Sequence, residues 1–120
     1  MKFTIFTFLL FFIPFGFKAQ SKTYYGELAG NDIKGTLTFN KDETVSGSYY
    51  YTSSPSRVYK ITGTNFVQGE IEMNVYYAGR RVSSGTITKT LTESYVIWEG
   101  ELWLEDSNGE NRYFIFKRHL

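Results

Sequence analysis

Few groups in this chain could do chemistry, and the carboxylates form the most regular pattern. Glu70 and Glu72 stand two residues apart, as do Glu99 and Glu101. In an extended strand such a pair shares one face, with α-carbons about 6.5–7 Å apart. That is near the separation glycoside hydrolysis asks of its two carboxylates. The neighbours argue against this use. Each pair alternates with apolar positions, Ile71 and Met73 in one case, Gly100 and Leu102 in the other. The glutamates therefore belong to the opposite, solvated face. The single histidine, His119, is next to last, and there is no cysteine. A Ser-His-Asp triad would rest on a chain end. Disulfides, thiolate metal sites and cysteine nucleophiles are excluded, as is a multi-histidine metal site. No phosphate loop, zinc motif or EF-hand loop occurs. The expectation is a protein that is not an enzyme and carries no cofactor or metal.

The aromatic residues are the stronger signal, and a period of two positions them. Ile33, Gly35, Leu37 and Phe39 alternate with polar residues; so do Val45, Gly47, Tyr49 and Tyr51, and Ile71, Met73, Val75 and Tyr77. Val96, Trp98, Gly100, Leu102 and Leu104 form the fourth such set. This is the pattern of strands with one buried face, and Val, Ile, Thr, Tyr and Trp suit a pleated surface. Tyr49, Tyr51 and Trp98 then point inward, and Tyr50, Tyr76, Tyr95 and Trp103 outward. No window carries a capped helical stripe.

Turn signals recur at Gly30-Asn31-Asp32, Asn40–Glu43, Ser53–Ser56, Gly63-Thr64-Asn65, Ala78-Gly79-Arg80, Leu91-Thr92-Glu93 and Ser107-Asn108-Gly109. Gly and Asn tolerate positive φ, and Pro55 removes a ladder donor. The reversals predict eight strands near 23–29, 33–39, 44–52, 57–63, 69–77, 81–90, 94–104 and 111–118. Short loops between strands favour an antiparallel up-and-down meander. With no helix to cover its apolar face, such a sheet must close on itself, and the predicted fold is an all-β, single-domain barrel of lipocalin/avidin-like architecture. Gly35, Gly47 and Gly100 fall at inward positions, where they relieve crowding as strands bend to close.

The barrel is expected to occupy residues 20–120, because residues 1–19 read as a signal peptide. Lys2 precedes an apolar run from Phe3 to Ile13, Pro14 and Gly16 break it, and cleavage is expected after Ala19. The run is shorter than the roughly 20 residues of a spanning helix. The Lys-Ala-Gln junction behind a Phe-rich run resembles signal peptides of Bacteroidetes-type Gram-negative bacteria. The implied location is the periplasm or the exterior. All ten tyrosines and both tryptophans lie beyond this segment.

With 13 Lys+Arg against 12 Asp+Glu, the chain lacks the basic excess of a nucleic-acid binder. Lys34, Lys60, Glu70, Glu72, Glu99 and Glu101 on the polar faces would be unfit for lipid, so no stable membrane insertion is expected once the leader is removed.

Tyr25-Gly26-Glu27-Leu28, Ile33 through Leu37, Val45 through Tyr51 and Tyr59 through Gly63 together resemble a group of small secreted bacterial proteins of unknown function, marked by a Gly-x-Tyr-Tyr-Tyr strand. That resemblance implies secretion and β-structure. Gly47-Ser48-Tyr49 followed by Tyr59–Gly63 is also similar to the second-hairpin region of avidin-type barrels. There only Tyr49 matches a ligand-contacting position, so the likeness implies architecture and not activity.

Tyrosines inside a small barrel make either a filled polar-aromatic layer or a cavity lined by donors. The expected function is binding: a small amphipathic molecule in the barrel, contacted by Tyr49, Tyr51 and Trp98. The alternative is a protein-interaction module, of inhibitor or immunity type, acting through Tyr50, Tyr76, Tyr95 and Trp103. The partner, small molecule or protein, is unnamed by the residues. Whether the interior is open or filled separates the two.

Overall fold

The structure, a computed structural model, describes residues 19–105 and 109–120. The predicted signal peptide, apart from Ala19, lies outside the described residues, as do the first two residues of the Ser107-Asn108-Gly109 turn. Eight strands follow one another: β1 (Gln20–Leu28), β2 (Asn31–Phe39), β3 (Thr44–Tyr51), β4 (Tyr59–Thr64), β5 (Glu70–Tyr77), β6 (Arg80–Leu91), β7 (Tyr95–Leu104) and β8 (Asn111–His119). Each pairs antiparallel with the next, and β1 pairs with β8, so the meander is a closed barrel. The closing register runs from Tyr25–Lys117 to Leu28–Phe114, while β1 continues along β2 as far as Gln20.

Alternation delivers the core. Ile33, Leu37, Val45, Tyr49, Ile61, Ile71, Met73, Val75, Ile87, Val96, Trp98, Leu102, Phe114 and Phe116 all point inward and are buried. The intervening Lys34, Lys60, Glu70 and Glu72 are exposed on the outer wall. The inward glycines act as closure points. A Cβ on Gly35 would stand 2.0 Å from the Ser48 carbonyl oxygen, and one on Gly26 would stand 1.8 Å from that of Ile115. Neighbouring strands can approach this closely, and so curl, only where a side chain is missing. The same glycines face large inward partners across the ladder: Gly35 opposes Tyr49, and Gly26 opposes Phe116. Small beside large is how a narrow barrel fills its interior.

Two hairpins turn in two residues. Ala29 (φ 53°) with Gly30 (φ 84°) and Ala78 (φ 53°) with Gly79 (φ 83°) have positive φ at both central positions. That is the type I′ turn, whose twist matches that of the flanking strands. The first turn thus centres on Ala29-Gly30 and β2 already begins at Asn31, ahead of the predicted 33, because the alanine accepts the left-handed region. An L-residue with a β-carbon pays for this conformation, and asparagine pays less. Ala29→Asn should therefore stabilise the protein by about 0.5–1 kcal/mol, read as a higher denaturant midpoint at unchanged m-value. A lower midpoint would mean the turn is not held in this form.

One irregularity breaks the ladder. Between β5 and β6 the register passes from Val75–Ser83 to Tyr76–Arg81, leaving Val82 as an extra residue. Ser83 is buried as the last residue of the regular inward series Ile87, Gly85, Ser83, and the half-buried Val82 beyond it packs on the core.

Candidate functional site

Up-and-down connectivity sorts the loops onto two ends. The base carries the β1–β2, β3–β4, β5–β6 and β7–β8 connections. The mouth carries the start of β1, the end of β8 and the β2–β3, β4–β5 and β6–β7 connections.

The base is filled. Tyr59 stacks on Tyr49 (ring centroids 5.1 Å, interplanar angle 6°) and lies 4.8 Å from Tyr77. Tyr51 meets both Tyr49 and Tyr59 edge-on, at 6.1 and 5.8 Å. Burial, reinforced by the neighbouring Tyr51 and Tyr59 phenols, pushes the Tyr49 hydroxyl far above its ordinary range. Burial likewise raises Tyr51, with Tyr59 adding to the shift and Arg112 opposing it. The rings continue upward as a column: Tyr49 to Phe114 at 6.0 Å, Phe114 to Phe116 at 4.8 Å, and Phe116 stacked on Tyr24 at 5.3 Å.

At the mouth the column ends in open space. A cavity of about 320 Å³ is lined by Gln20, Lys22, Tyr24, Phe39, Asn65, Gln68, Gly69, Lys89, Val96, Trp98 and Arg118. Its apolar floor is Tyr24, Phe39, Val96 and Trp98, with Phe39 and Trp98 stacked at 5.8 Å. The Arg118 guanidinium lies over the Tyr24 ring at 5.8 Å. The β4–β5 loop is tied down on both sides, since Asn65 N–H donates to the Glu43 carbonyl and Lys89 N–H to that of Gly69. Phe66 and Val67 in that loop remain exposed. A larger depression of about 510 Å³ on the outer wall of β3–β5 is lined mainly by polar residues and contains no aromatic ring.

The residues expected to share one ligand site are therefore divided. Trp98, only 4% exposed, lines the mouth cavity, whereas Tyr49 and Tyr51 pack in the base. The filled layer and the open cavity, alternatives for one interior in the sequence, lie at opposite ends of the barrel, and the cavity takes Trp98 without Tyr49 or Tyr51.

The outer residues are divided too. Tyr50 on β3 and Tyr76 on β5 flank Lys60 of β4, which pairs with Tyr76. Tyr95 and Trp103 lie on β7, four strands from Tyr50 on β3 and two from Tyr76 on β5, near opposite ends of their strand. Tyr95 belongs to a cluster with His119, at 4.6 Å, and with Lys117 over its ring at 5.4 Å. It also hydrogen-bonds Tyr25, which holds the Tyr25 phenol above its ordinary range. Trp103 is half exposed and lies against Gly109. The four do not form one continuous patch.

The carboxylate pairs lie on the outer wall. Glu99 accepts a hydrogen bond from the Tyr113 hydroxyl, and Glu101 accepts one from the Asn111 amide at 2.9 Å. Among the described residues no three His, Asp or Glu side chains gather where they could hold a metal ion. No helix among them is long and apolar enough to cross a membrane.

No protein-family model, curated protein or solved structure matches this chain. The site must be read from its own residues.

The sequence reasoning missed Lys22, Tyr24, Phe39, Asn65, Lys89 and Arg118 as site residues. A signal for three of them was present. Lys22 stands two before Tyr24, Lys89 two after Ile87 and Arg118 two after Phe116. Each continues the inward face of its strand past the last buried residue, and all at the same end.

Proposed function

We propose that this is an exported, non-enzymatic binding protein that takes a small amphipathic molecule into the mouth of its barrel. The observation that carries the reading is the mouth cavity. It has an aromatic floor of Tyr24, Phe39 and Trp98 under a rim of polar side chains. Ligand sites are typically concave, mostly apolar and equipped with a few convergent polar groups, and they occur in the mouths of β-barrels. A volume of about 320 Å³ is at the lower end of such sites. The packed base supports it by supplying a rigid floor, and the charged outer wall supports a barrel that works in water.

Trp98 is the reporter. Replacing the half-exposed Trp103 by Phe leaves Trp98 as the one tryptophan. In that background Trp98 emission should be shielded from a soluble quencher, and it should change in intensity and wavelength when the aromatic probe N-phenyl-1-naphthylamine or its sulfonated relative 8-anilinonaphthalene-1-sulfonate is added. Emission indifferent to both probes would overturn the proposal.

A further inference from the structure

The polar groups around the mouth share one sign. Lys22 of β1, Lys89 of β6 and Arg118 of β8 line the cavity, and no Asp or Glu is among its lining residues. Glu70 and Glu99, each next in sequence to a lining residue, belong to the outer face of their strands, and the acidic side chains of the rim loops are exposed. Asp42 and Glu43 are exposed in the β2–β3 loop and Glu93 in the β6–β7 loop. Asp42 is occupied by Thr44, whose hydroxyl and backbone N–H both donate to it. The register places Arg118 beside Val96 and Lys89 beside Trp98, so two cations bracket the β7 segment that builds the floor.

A second, independent observation falls at the same place. Among the described residues two buried side-chain polar atoms have no hydrogen-bond partner, Arg118 Nε and Asn65 Oδ1. Both residues line this cavity. A buried guanidinium N–H without an acceptor is costly. A small turn of the Arg118 side chain would bring it to a carboxylate, sulfonate or phosphate oxygen in the cavity, and a planar guanidinium suits such a group. A half-turn of the Asn65 amide would offer the same anion another donor.

From this we infer that the ligand is a compact organic anion, with an apolar and preferably aromatic body on Tyr24, Phe39 and Trp98 and its charged group held by Lys22, Lys89 and Arg118. This rests on the binding function proposed above and specifies its ligand class. The barrel is closed beneath the floor by Leu37, Ile87 and Phe116, so a short, wide body fits and a long extended chain does not.

The test compares two probes that differ in one group. 8-Anilinonaphthalene-1-sulfonate is N-phenyl-1-naphthylamine with a sulfonate added. The sulfonated probe should bind at least about tenfold more tightly, the worth of one charge-assisted hydrogen bond, and its affinity should fall with added salt while that of the neutral probe does not. Lys22→Met with Lys89→Met removes two exposed charges without disturbing the core. Arg118→Met removes the third. Each should weaken the sulfonated probe by about tenfold or more and leave the neutral one unchanged. Should Arg118→Met fail to fold, the lysine pair decides alone. Equal affinity for the two probes, or variants that affect both alike, would overturn the anion inference and leave the cavity as a neutral binding site. Failure of both probes to bind would overturn the binding function itself.

Discussion

Leu37→Asp should cost the protein several kcal/mol, and Thr38→Asp, one residue along the same strand, roughly ±0.5 kcal/mol. Leu37 is fully buried between Lys22 of β1 and Gly47 of β3 in the ladder. An aspartate there buries a carboxylate in an apolar interior, and its cross-strand neighbour Lys22 is exposed, so an ion pair with it would not offset the loss of water. It must either stay charged at great cost or take up a proton, and both routes lower stability. Thr38 points outward, and its hydroxyl donates to Ser21 Oγ at 3.0 Å at an exposed site. Losing that bond matters little where water replaces it. Denaturant midpoints of the two variants, compared at equal m-values, give the answer. Because a one-residue slip exchanges the faces of a strand, equal losses would mean that β2 is out of register.

Tyr49→Ala should cost about 3–5 kcal/mol, as truncation of a buried aromatic residue usually does. Its ring joins the Tyr59 and Tyr51 rings of the base to Phe114 of the core, so its removal opens a void that the stiff, closed wall cannot fill. Tyr49→Phe keeps the ring and should cost less than about 1.5 kcal/mol. The pair also separates packing from ionisation. The folded-state pKa of Tyr49 lies above that of the unfolded chain, near 10. The folded protein therefore holds a proton that the unfolded chain releases above that pH. This contribution to stability is complete below about pH 10 and is lost as the pH climbs beyond it. In Tyr49→Phe that alkaline loss should shrink. Probe binding at the mouth should survive Tyr49→Ala wherever the variant remains folded, since Tyr49 stands at the other end. A stability loss no larger than that of a surface substitution would mean the base is not packed as described.

Strand number, order and facing were legible because alternation is a local code. Whether Leu37 or Thr38 faces inward depends only on its neighbours, and the eight predicted spans lie close to the observed ones. Closure followed from arithmetic of another kind, since an apolar sheet face without a helix has nothing to cover it but itself. The inward glycines pointed the same way, and the structure supplies the reason: at Gly35, Gly47 and Gly100 a neighbouring backbone occupies the space of a side chain.

Other features depend on more than the local sequence. The extra Val82 is invisible in the alternation, because a bulge is defined by the partner strand it disturbs. The β1–β2 turn shifted onto Ala29 because a hairpin's register is settled by both strands at once. Above all, periodicity assigns a side chain to the inside but not to a height along the axis. Tyr49, Tyr51 and Trp98 share the inward face by sequence. Strand direction and stagger send the two tyrosines to the packed base and the tryptophan to the open mouth. The same stagger gathers Lys22, Lys89 and Arg118 from three strands distant in sequence around one cavity. Sequence by itself determined an antiparallel, closed sheet with an aromatic interior, since alternation and turn chemistry act between near neighbours. Only the tertiary structure decided which end is filled and which is open, because that depends on where eight inward faces meet along a common axis.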